Sequence, residues 1–475
     1  MNRLFHFFQR GLTHWRDFAA LLRQSLSGQP YDFTTGPLRR SVVLLAVPMM
    51  LEMSMESVFA VADIFFVSAL GADAVAAVGI TEAVITLVYA VAIGLSMATT
   101  AMVARRIGEK NPVAAAHVAG QALWLGLIMA VIVGAIGLRY AEDILSLMGA
   151  GSAVIEDGAG YTRILLGGSL TILMLFLINA VFRGAGDAGI AMRILWLANG
   201  INIVLDPCLI YGWGPFPELG VSGAAVATNI GRGIGVIYGV YCLQHQSGRL
   251  QLRLADLRPI PAVLTRLFRI SLGGMLQFLI ATSSWVVMMK IVAVYGSSAI
   301  AGYTIALRVI ELTFLPAWGL GNAAATLVGQ NLGAQKPDRA ARAVWQTARY
   351  NFVFLVSVAL IFIAFAEPII RLFSDEPAVV AYGIDCLRYI SYGYGFYAIG
   401  MIMVQAFNGA GDTSTPTWIN LVCFWLLQMP LAYSLAQWYG LGPQGVFLAI
   451  MVAESSVAVI GVWLFRQGKW KLKAV

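Results

Sequence analysis

The sequence predicts an all-α membrane protein with twelve transmembrane helices in two pseudo-symmetric six-helix bundles. Three observations carry this. Hydrophobic residues make up 59% of the 475 and charged residues only 12%, a balance outside that of soluble domains. Apolar runs recur from Ser41 onward, each with the ~20 residues a helix needs to cross ~30 Å of hydrocarbon. The chain also repeats itself. Gly94-Leu95-Ser96-Met97-Ala98 returns as Gly319-Leu320-Gly321-Asn322-Ala323, and Phe182-Arg183-Gly184-Ala185-Gly186-Asp187 returns as Phe407-Asn408-Gly409-Ala410-Gly411-Asp412, both at an offset of 225 residues. Such a layout is common among secondary transporters, whose substrate sites lie between repeats.

The apolar runs fall near 42–69, 74–103, 116–138, 159–181, 189–213 and 221–243, then 264–294, 299–328, 344–366, 380–406, 416–438 and 444–465. The repeat divides them six and six. No period-two alternation of the kind found in β-barrel strands is present. The organisation that follows is a basic amphipathic segment (1–40), a first bundle (41–243), a linker (244–263), a second bundle (264–466) and a basic tail (467–475). In the first segment Leu4, Phe7, Phe8, Leu12, Trp15, Phe18 and Leu22 recur at helical spacing beside Arg3, Arg10, Arg16 and Arg23, which predicts a helix lying on the membrane surface. The linker is polar and basic and contains Pro259 and Pro261; it is expected to let the bundles rock against each other.

The net charge of +7 does not mark a nucleic-acid binder. Of the 31 Lys and Arg, 24 fall in the termini and in the loops on the same side as the termini. By the positive-inside rule both termini face the cytoplasm, and an even number of spans agrees with that. Four cysteines without a CxxC pair and four unclustered histidines indicate neither a disulfide framework nor a metal site. No phosphate-binding GxxxxGK[ST] occurs, so no nucleotide cofactor is expected to drive the chain. No nucleophile beside a base is visible, which argues against a membrane-embedded hydrolase.

Ionisable residues at bilayer depth cost about 2.5–3.5 kcal/mol each even on lenient scales and so ask for a function. Glu52, Glu56 and Asp63 lie on one face of the first span, within about 40° of one another at 100° per residue. Asn199, Asn202 and Asp206 share one face of the fifth span, and Thr228 and Asn229 lie in the sixth. Carboxylate and amide oxygens are hard ligands, suited to Na⁺ or to a proton held in a hydrogen-bonded network. Intramembrane Asn and Thr also serve simply to tie helices together. Pro48, Pro207, Pro316 and Pro430 sit in or at the ends of spans, where proline bends a helix. Gly186-Asp187 and Gly411-Asp412 fit a helix end followed by the cap of the next. Arg308 and Glu311, three residues apart, fit an ion pair on one helix face. The second bundle has no acidic set to match that of the first.

These residues together resemble the MATE family, the multidrug and toxic compound extrusion transporters. The resemblance rests on Pro48 with Val61-Ala62-Asp63-Ile64-Phe65-Phe66-Val67, on Arg183-Gly184-Ala185-Gly186-Asp187, and on Asn202-Ile203-Val204-Leu205-Asp206-Pro207. It extends to Gly220-Val221-Ser222-Gly223-Ala224-Ala225-Val226-Ala227-Thr228 and to Val328-Gly329-Gln330-Asn331-Leu332-Gly333. It covers about residues 37–466. The resemblance implies the MATE fold, a bacterial inner-membrane location, no cofactor, monomeric action and antiport of small organic, often cationic, compounds against H⁺ or Na⁺. The NorM-like branch of the family uses acids in helices 7 and 10. Here the stretches from Gln277 to Lys290 and from Tyr392 to Gln405 hold no Asp or Glu, which favours the DinF-like branch. In that branch Asp63, Asn202, Asp206 and Thr228 match the cation-binding cluster of the first bundle. Glu52, Glu56 and Asn199 stand as additional coupling candidates and Pro48 as the helix bend. A lipid-linked sugar flippase of the same superfamily is the alternative.

Overall fold

The computed structural model describes residues 20–26, 28, 31–245 and 249–473. Of the surface helix expected over residues 1–28, residues 1–19 and 27 lie outside the described residues, and 20–26 are helical. Described residues form helices and their connections, with no strand among them. In the first lobe these are α1 (Leu38–Ser68), α2 (Ala72–Gly108), α3 (Pro112–Leu147), α4 (Ser152–Gly167), α5 (Ser169–Ala185), α6 (Ala188–Ile210) and α7 (Val221–His245). The second lobe holds α8 (Pro261–Ala293), α9 (Ser297–Gly333), α10 (Pro337–Ala364), the short α11 (Ala366–Arg371), α12 (Pro377–Tyr392), α13 (Tyr394–Gly409), α14 (Ser414–Trp438) and α15 (Pro443–Gln467). Among the described residues nine helices are long and apolar enough to cross a membrane, and the bent pair α4–α5 makes a tenth. The α7 helix and the α12–α13 pair complete the twelve spans. At 25 residues α7 covers about 37 Å. Several helices run a turn or more past the apolar stretch, because backbone hydrogen bonding continues where hydropathy has already fallen.

The repeat is visible in the backbone itself. The fourth span breaks at Gly168 and the tenth at Gly393, 225 residues later. Left-handed backbone recurs at the same offset: Lys110 (φ 59°) and Gln335 (φ 56°), Gly186 (φ 88°) and Gly411 (φ 80°). Asn229 holds the first of the two breaks. Its amide donates to Ile164 O at 2.9 Å and its carbonyl accepts from Thr171 Oγ1 at 3.0 Å.

The lobes meet along two symmetry-related helix crossings. Where α2 passes α8, a Cβ on Gly94 would stand 2.6 Å from Ser271 O. Where α9 passes α1, a Cβ on Gly319 would stand 2.5 Å from Met49 O. Glycine is required at both because the neighbour is backbone, which cannot swing aside. Farther along these helices, Gly108 lies against the Gln330 carbonyl and Gly333 against the Arg105 carbonyl. Thr326 Oγ1 donates to Arg183 O at 3.1 Å and Gln330 Nε2 to Gly184 O at 2.9 Å, tying the second lobe to the first.

These contacts all lie toward the end of the bundle that carries the termini. There Lys336 Nζ donates to Thr34 O, Arg339 to Thr35 O, and Arg105 to Lys473 O. Toward the opposite end the lobes part into a cleft. Glu82 on α2 and Arg308 and Glu311 on α9 are exposed, and Arg308 and Glu311 act electrostatically on Glu82 from the other lobe. The expected Arg308–Glu311 ion pair does not form. Both side chains are exposed and act on Glu82 of α2 across the lobes instead of on each other at ion-pair distance.

The linker is not slack. Gln121 on α3 donates to Arg258 O at 2.8 Å and accepts from Ile260 N at 2.9 Å. The short helical turn Leu254–Leu257 packs backbone to backbone on Gly120. Arg249 donates to the Tyr31 carbonyl and to Ala185 O, and covers the Phe33 ring. The connection is therefore bound to the first lobe, and freedom to rock must come from the helix crossings. At the two symmetric turns, Asp187 occupies the cap of α6 without a side-chain capping bond. Asp412 accepts from Ser414 and Thr415 and pairs with Lys473 at 3.1 Å. Burial pushes the Asp412 carboxyl up, but these partners outweigh it and hold it below the usual range.

Replacing Gly108 by Val is expected to cost about 1–3 kcal/mol or more, because the new side chain meets a carbonyl oxygen across the lobe interface. Gly79, where an added Cβ would meet nothing within 4 Å, is the control. Gly79→Ala should leave stability unchanged or raise it by about 1 kcal/mol. Thermal unfolding of the purified protein in detergent compares the two.

Candidate functional site in the first lobe

The site is built on two helices that run side by side, α1 and α6. Three rungs join them at nearly constant sequence spacing. Trp196 Nε1 donates to Leu51 O at 3.0 Å, Asn199 Nδ2 donates to Glu56 Oε2 at 2.9 Å, and the Tyr211 hydroxyl donates to Phe66 O at 2.5 Å. Constant spacing means parallel axes, so residues that share a face on each helix confront each other along the whole seam. The α8–α14 seam of the second lobe is its counterpart. There Thr417 donates to Gly273 O, Asn420 to Gln277 O and Trp425 to Ile280 O, all backbone acceptors.

Asp63 and Asp206 come together at the cleft-side end of the first seam. Asp206 is fully buried and Asp63 is 9% exposed, and the Asp63 charge acts on Asp206. Asn202, one turn back on α6, donates its amide to Thr228 Oγ1 of α7 at 3.0 Å. The four residues expected to cluster are thus assembled from three helices. Asp63 Oδ1, Asn202 Oδ1 and both carboxylate oxygens of Asp206 are buried without a hydrogen-bond partner. Leaving one buried acceptor unsatisfied costs roughly 1–3 kcal/mol. Asp63 and Asp206 feel each other's charge and Asn202 lies one turn from Asp206, so these unsatisfied acceptors are ones that a monovalent cation or shared protons would satisfy. Among the described residues no group of three His, Cys, Asp or Glu is arranged to hold a metal ion. The donor set of two carboxylates, an amide oxygen and a hydroxyl suits Na⁺ or H⁺ chemistry rather than a transition metal.

The other acids of α1 lie outside this set. Glu52 is 1% exposed and receives Arg183 Nη1 at 2.9 Å and Asn179 Nδ2 at 3.2 Å, both from α5. Its face of α1 is the one expected, but its partner is a fixed arginine, which hydropathy places in the loop after the fourth span. Glu56 sits between, half-buried, bonded to Asn199. Pro48 is buried where α9 crosses, and α1 stays helical through it. Asn229, set beside Thr228 in the sequence, holds the α4–α5 break instead.

Two further charges within the spans, one buried and one half-buried, have no role legible in the sequence pattern. Arg232 on α7 is 6% exposed and donates to the Tyr89 hydroxyl at 2.8 Å. An arginine in the middle of an apolar span is itself a signal, but nothing in the sequence names its neighbours. In the second lobe Glu454 on α15 lies near Tyr397 and Cys423 and makes no hydrogen bond or ion pair among the described residues.

Glu52→Gln or Arg183→Met alone strands a buried charge and is expected to destabilise the protein by about 3–5 kcal/mol. The double variant should recover most of that loss. Chemical or thermal unfolding of the three variants measures the recovery. A double variant no better than the singles would show that the pair is not a mutual tie.

The comparisons with known proteins agree with this architecture. The MatE family profile matches residues 48–208 and 275–434, one stretch in each lobe. A probable multidrug resistance protein, NorM of Thermotoga maritima, is 28% identical over 92% of this chain and 94% of its own length. An FAD transporter of Shewanella oneidensis is also 28% identical, over 92% of this chain and 96% of its own. The solved outward-facing conformation of a multidrug resistance MATE family transporter of the MOP superfamily superposes with a TM-score of 0.87 at 27% identity. It covers 93% of this chain and 98% of that one. With the two halves of the profile falling on the two lobes of a duplicated twelve-helix membrane fold, this chain belongs to the MATE family of transporters.

Proposed function

We propose that this chain is a secondary active exporter of small organic compounds, often cationic, driven by H⁺ or Na⁺ entering along its gradient. The observation that carries the reading is the set of four buried, unpartnered oxygens on Asp63, Asn202 and Asp206 in the first lobe. Asp63, Asn202 and Asp206 take the incoming cation, with Thr228 fixing the Asn202 amide. Glu56 and Asn199 support the same seam from below. Glu52, tied to Arg183, serves the lobe's rigidity. The concentration of acids in the first lobe favours the DinF-like branch. The chain acts as a monomer of two lobes, 41–243 and 264–466, in a bacterial inner membrane. The excess of Lys and Arg on the termini's side puts that side in the cytoplasm.

On this reading the cleft opens outward, and the likeness to an outward-facing transporter supports it. Cation arrival changes charge and hydrogen bonding on α1, which crosses the second lobe at Gly319. A shift of α1 is therefore transmitted to the lobe interface. A potential of 100 mV supplies about 2.3 kcal/mol per charge moved, about fortyfold in accumulation. A second reading has a flavin dinucleotide as cargo. It is favoured by the Shewanella relative and by Arg308, a cation facing the cleft.

The experiment is uptake into proteoliposomes with pH and sodium gradients imposed separately, using a fluorescent organic cation and, in parallel, FAD. The wild-type chain should accumulate one cargo under one gradient. Asp63→Asn is expected to reduce this to the protein-free background while unfolding at an unchanged temperature. Undiminished uptake by the variant would remove Asp63 from the cation site.

A further inference from the structure

The first lobe holds a second cation of its own. Arg232 is buried in a spanning helix, yet among the described residues it makes no ion pair within 4.0 Å. It rests on two aromatic rings instead. Its guanidinium carbon lies 5.7 Å from the Phe59 centroid and 6.0 Å from that of Tyr89, whose hydroxyl accepts its hydrogen bond. Two carboxylates, Glu56 and Asp63, act on it electrostatically.

The placement on α1 is informative. Glu56 and Asp63 are seven residues apart on one face, about 10.5 Å along the axis. Phe59 lies between them, so its ring carries the guanidinium between the two acids. Each acid is about half that distance away along the axis, within the swing of an arginine side chain. The remaining groups facing this space are Tyr161 of α4, Glu82 of α2, which acts on Asp63, and Asp206 and Asn199 of α6.

The second lobe shows that this arginine is not part of the shared scaffold. An offset of 222 residues sets Gly220 and Gly223 on Gly442 and Gly445, and the same offset sets Arg232 on Glu454. The 225-residue offset sets Asp63 on Met288. Arginine at this place therefore occurs in the lobe with the aspartate pair, and a glutamate replaces it in the lobe without one.

We propose that Arg232 is a resident cation that competes with the transported one. Its guanidinium takes the Asp63 carboxylate when the coupling cation leaves, and withdraws to the Phe59–Tyr89 cradle beside Glu56 when a cation arrives. The inference rests on the cation role of Asp63 proposed above. Its purpose is physical. During the half-cycle in which the lobe carries cargo, two adjacent carboxylates would otherwise remain bare in a low-dielectric interior. A tethered guanidinium neutralises one of them without leaving the protein, and it must be displaced before the next cation binds. The displacement lowers the apparent cation affinity by the fraction of lobes in which Arg232 holds the site.

Two readouts separate this from mere repulsion by a fixed charge. The first is apparent cation affinity, by intrinsic tryptophan fluorescence, with Na⁺ titrated at fixed pH and pH titrated without Na⁺. The second is exchange of labelled for unlabelled organic cation across vesicles with no gradient, which uses only the cation-free lobe. Arg232→Met is expected to bind the cation about tenfold more tightly and to exchange cargo about tenfold more slowly. Arg232→Lys should restore both toward wild type. Tighter binding with unchanged exchange would mean static repulsion and would overturn the proposal, as would unchanged affinity. If the methionine variant does not fold, Glu56→Gln carries the test. Loss of the withdrawal position should weaken cation binding about tenfold, and unchanged binding would overturn the proposal. Failure of the underlying reading is distinct: Asp63→Asn would then still bind the cation.

Discussion

The cost of charge in a low-dielectric interior organises the first lobe. Four acids of α1 and α6 and two arginines beside them must each be answered by something. Glu52 is answered permanently by Arg183 and Asn179. Glu56 is answered by the Asn199 amide. Arg232 is answered by two rings and a phenol. Asp63 Oδ1 and both carboxylate oxygens of Asp206 have no hydrogen-bond partner among the described residues. A fixed partner gives stability, whereas an absent partner creates a demand that a mobile cation can meet. The division proposed between structural and cation-binding acids on α1 follows from this difference, since all three share one helix face.

The α8–α14 seam of the second lobe is the same scaffold without the demand, and Glu454, unpaired among the described residues, lies on α15 instead. At the places of Glu52, Glu56, Asp63 and Asp206 stand Gln277, Ala281, Met288 and Leu431. Its α8–α14 seam is closed by hydroxyl, amide and indole groups bonded to backbone carbonyls. Such a seam has no charge to compensate at any stage and suits a lobe that moves as a body. The two bundles share one scaffold, and the acids stand along one seam only.

The helix crossings connect the two. Backbone lies directly against glycine at Gly94 and Gly319, and again at Gly108 and Gly333. Close backbone contacts of this kind resist compression. The bound linker leaves these crossings as the place where relative motion is absorbed. Because α1 carries both the crossing with α9 and the acids of the seam, cation binding and lobe geometry act on one element.

The sequence alone determined the class, the number of spans, the duplication and the polar residues that matter. Hydropathy over 20-residue windows and a constant offset are properties of the chain that no packing can alter. It also singled out Asp63, Asn202, Asp206 and Thr228, because periodicity places residues on faces and the motifs around them resemble those of one family. Only the tertiary structure decided what each face meets. It gave Glu52 an arginine that hydropathy puts in a watery loop, sent Asn229 to a helix break, and turned Arg308 and Glu311 apart into the cleft. It also set Arg232 between two carboxylates on a different helix. Periodicity is local to one helix, whereas the partner of a buried charge comes from helices tens or hundreds of residues away, and only packing chooses among them.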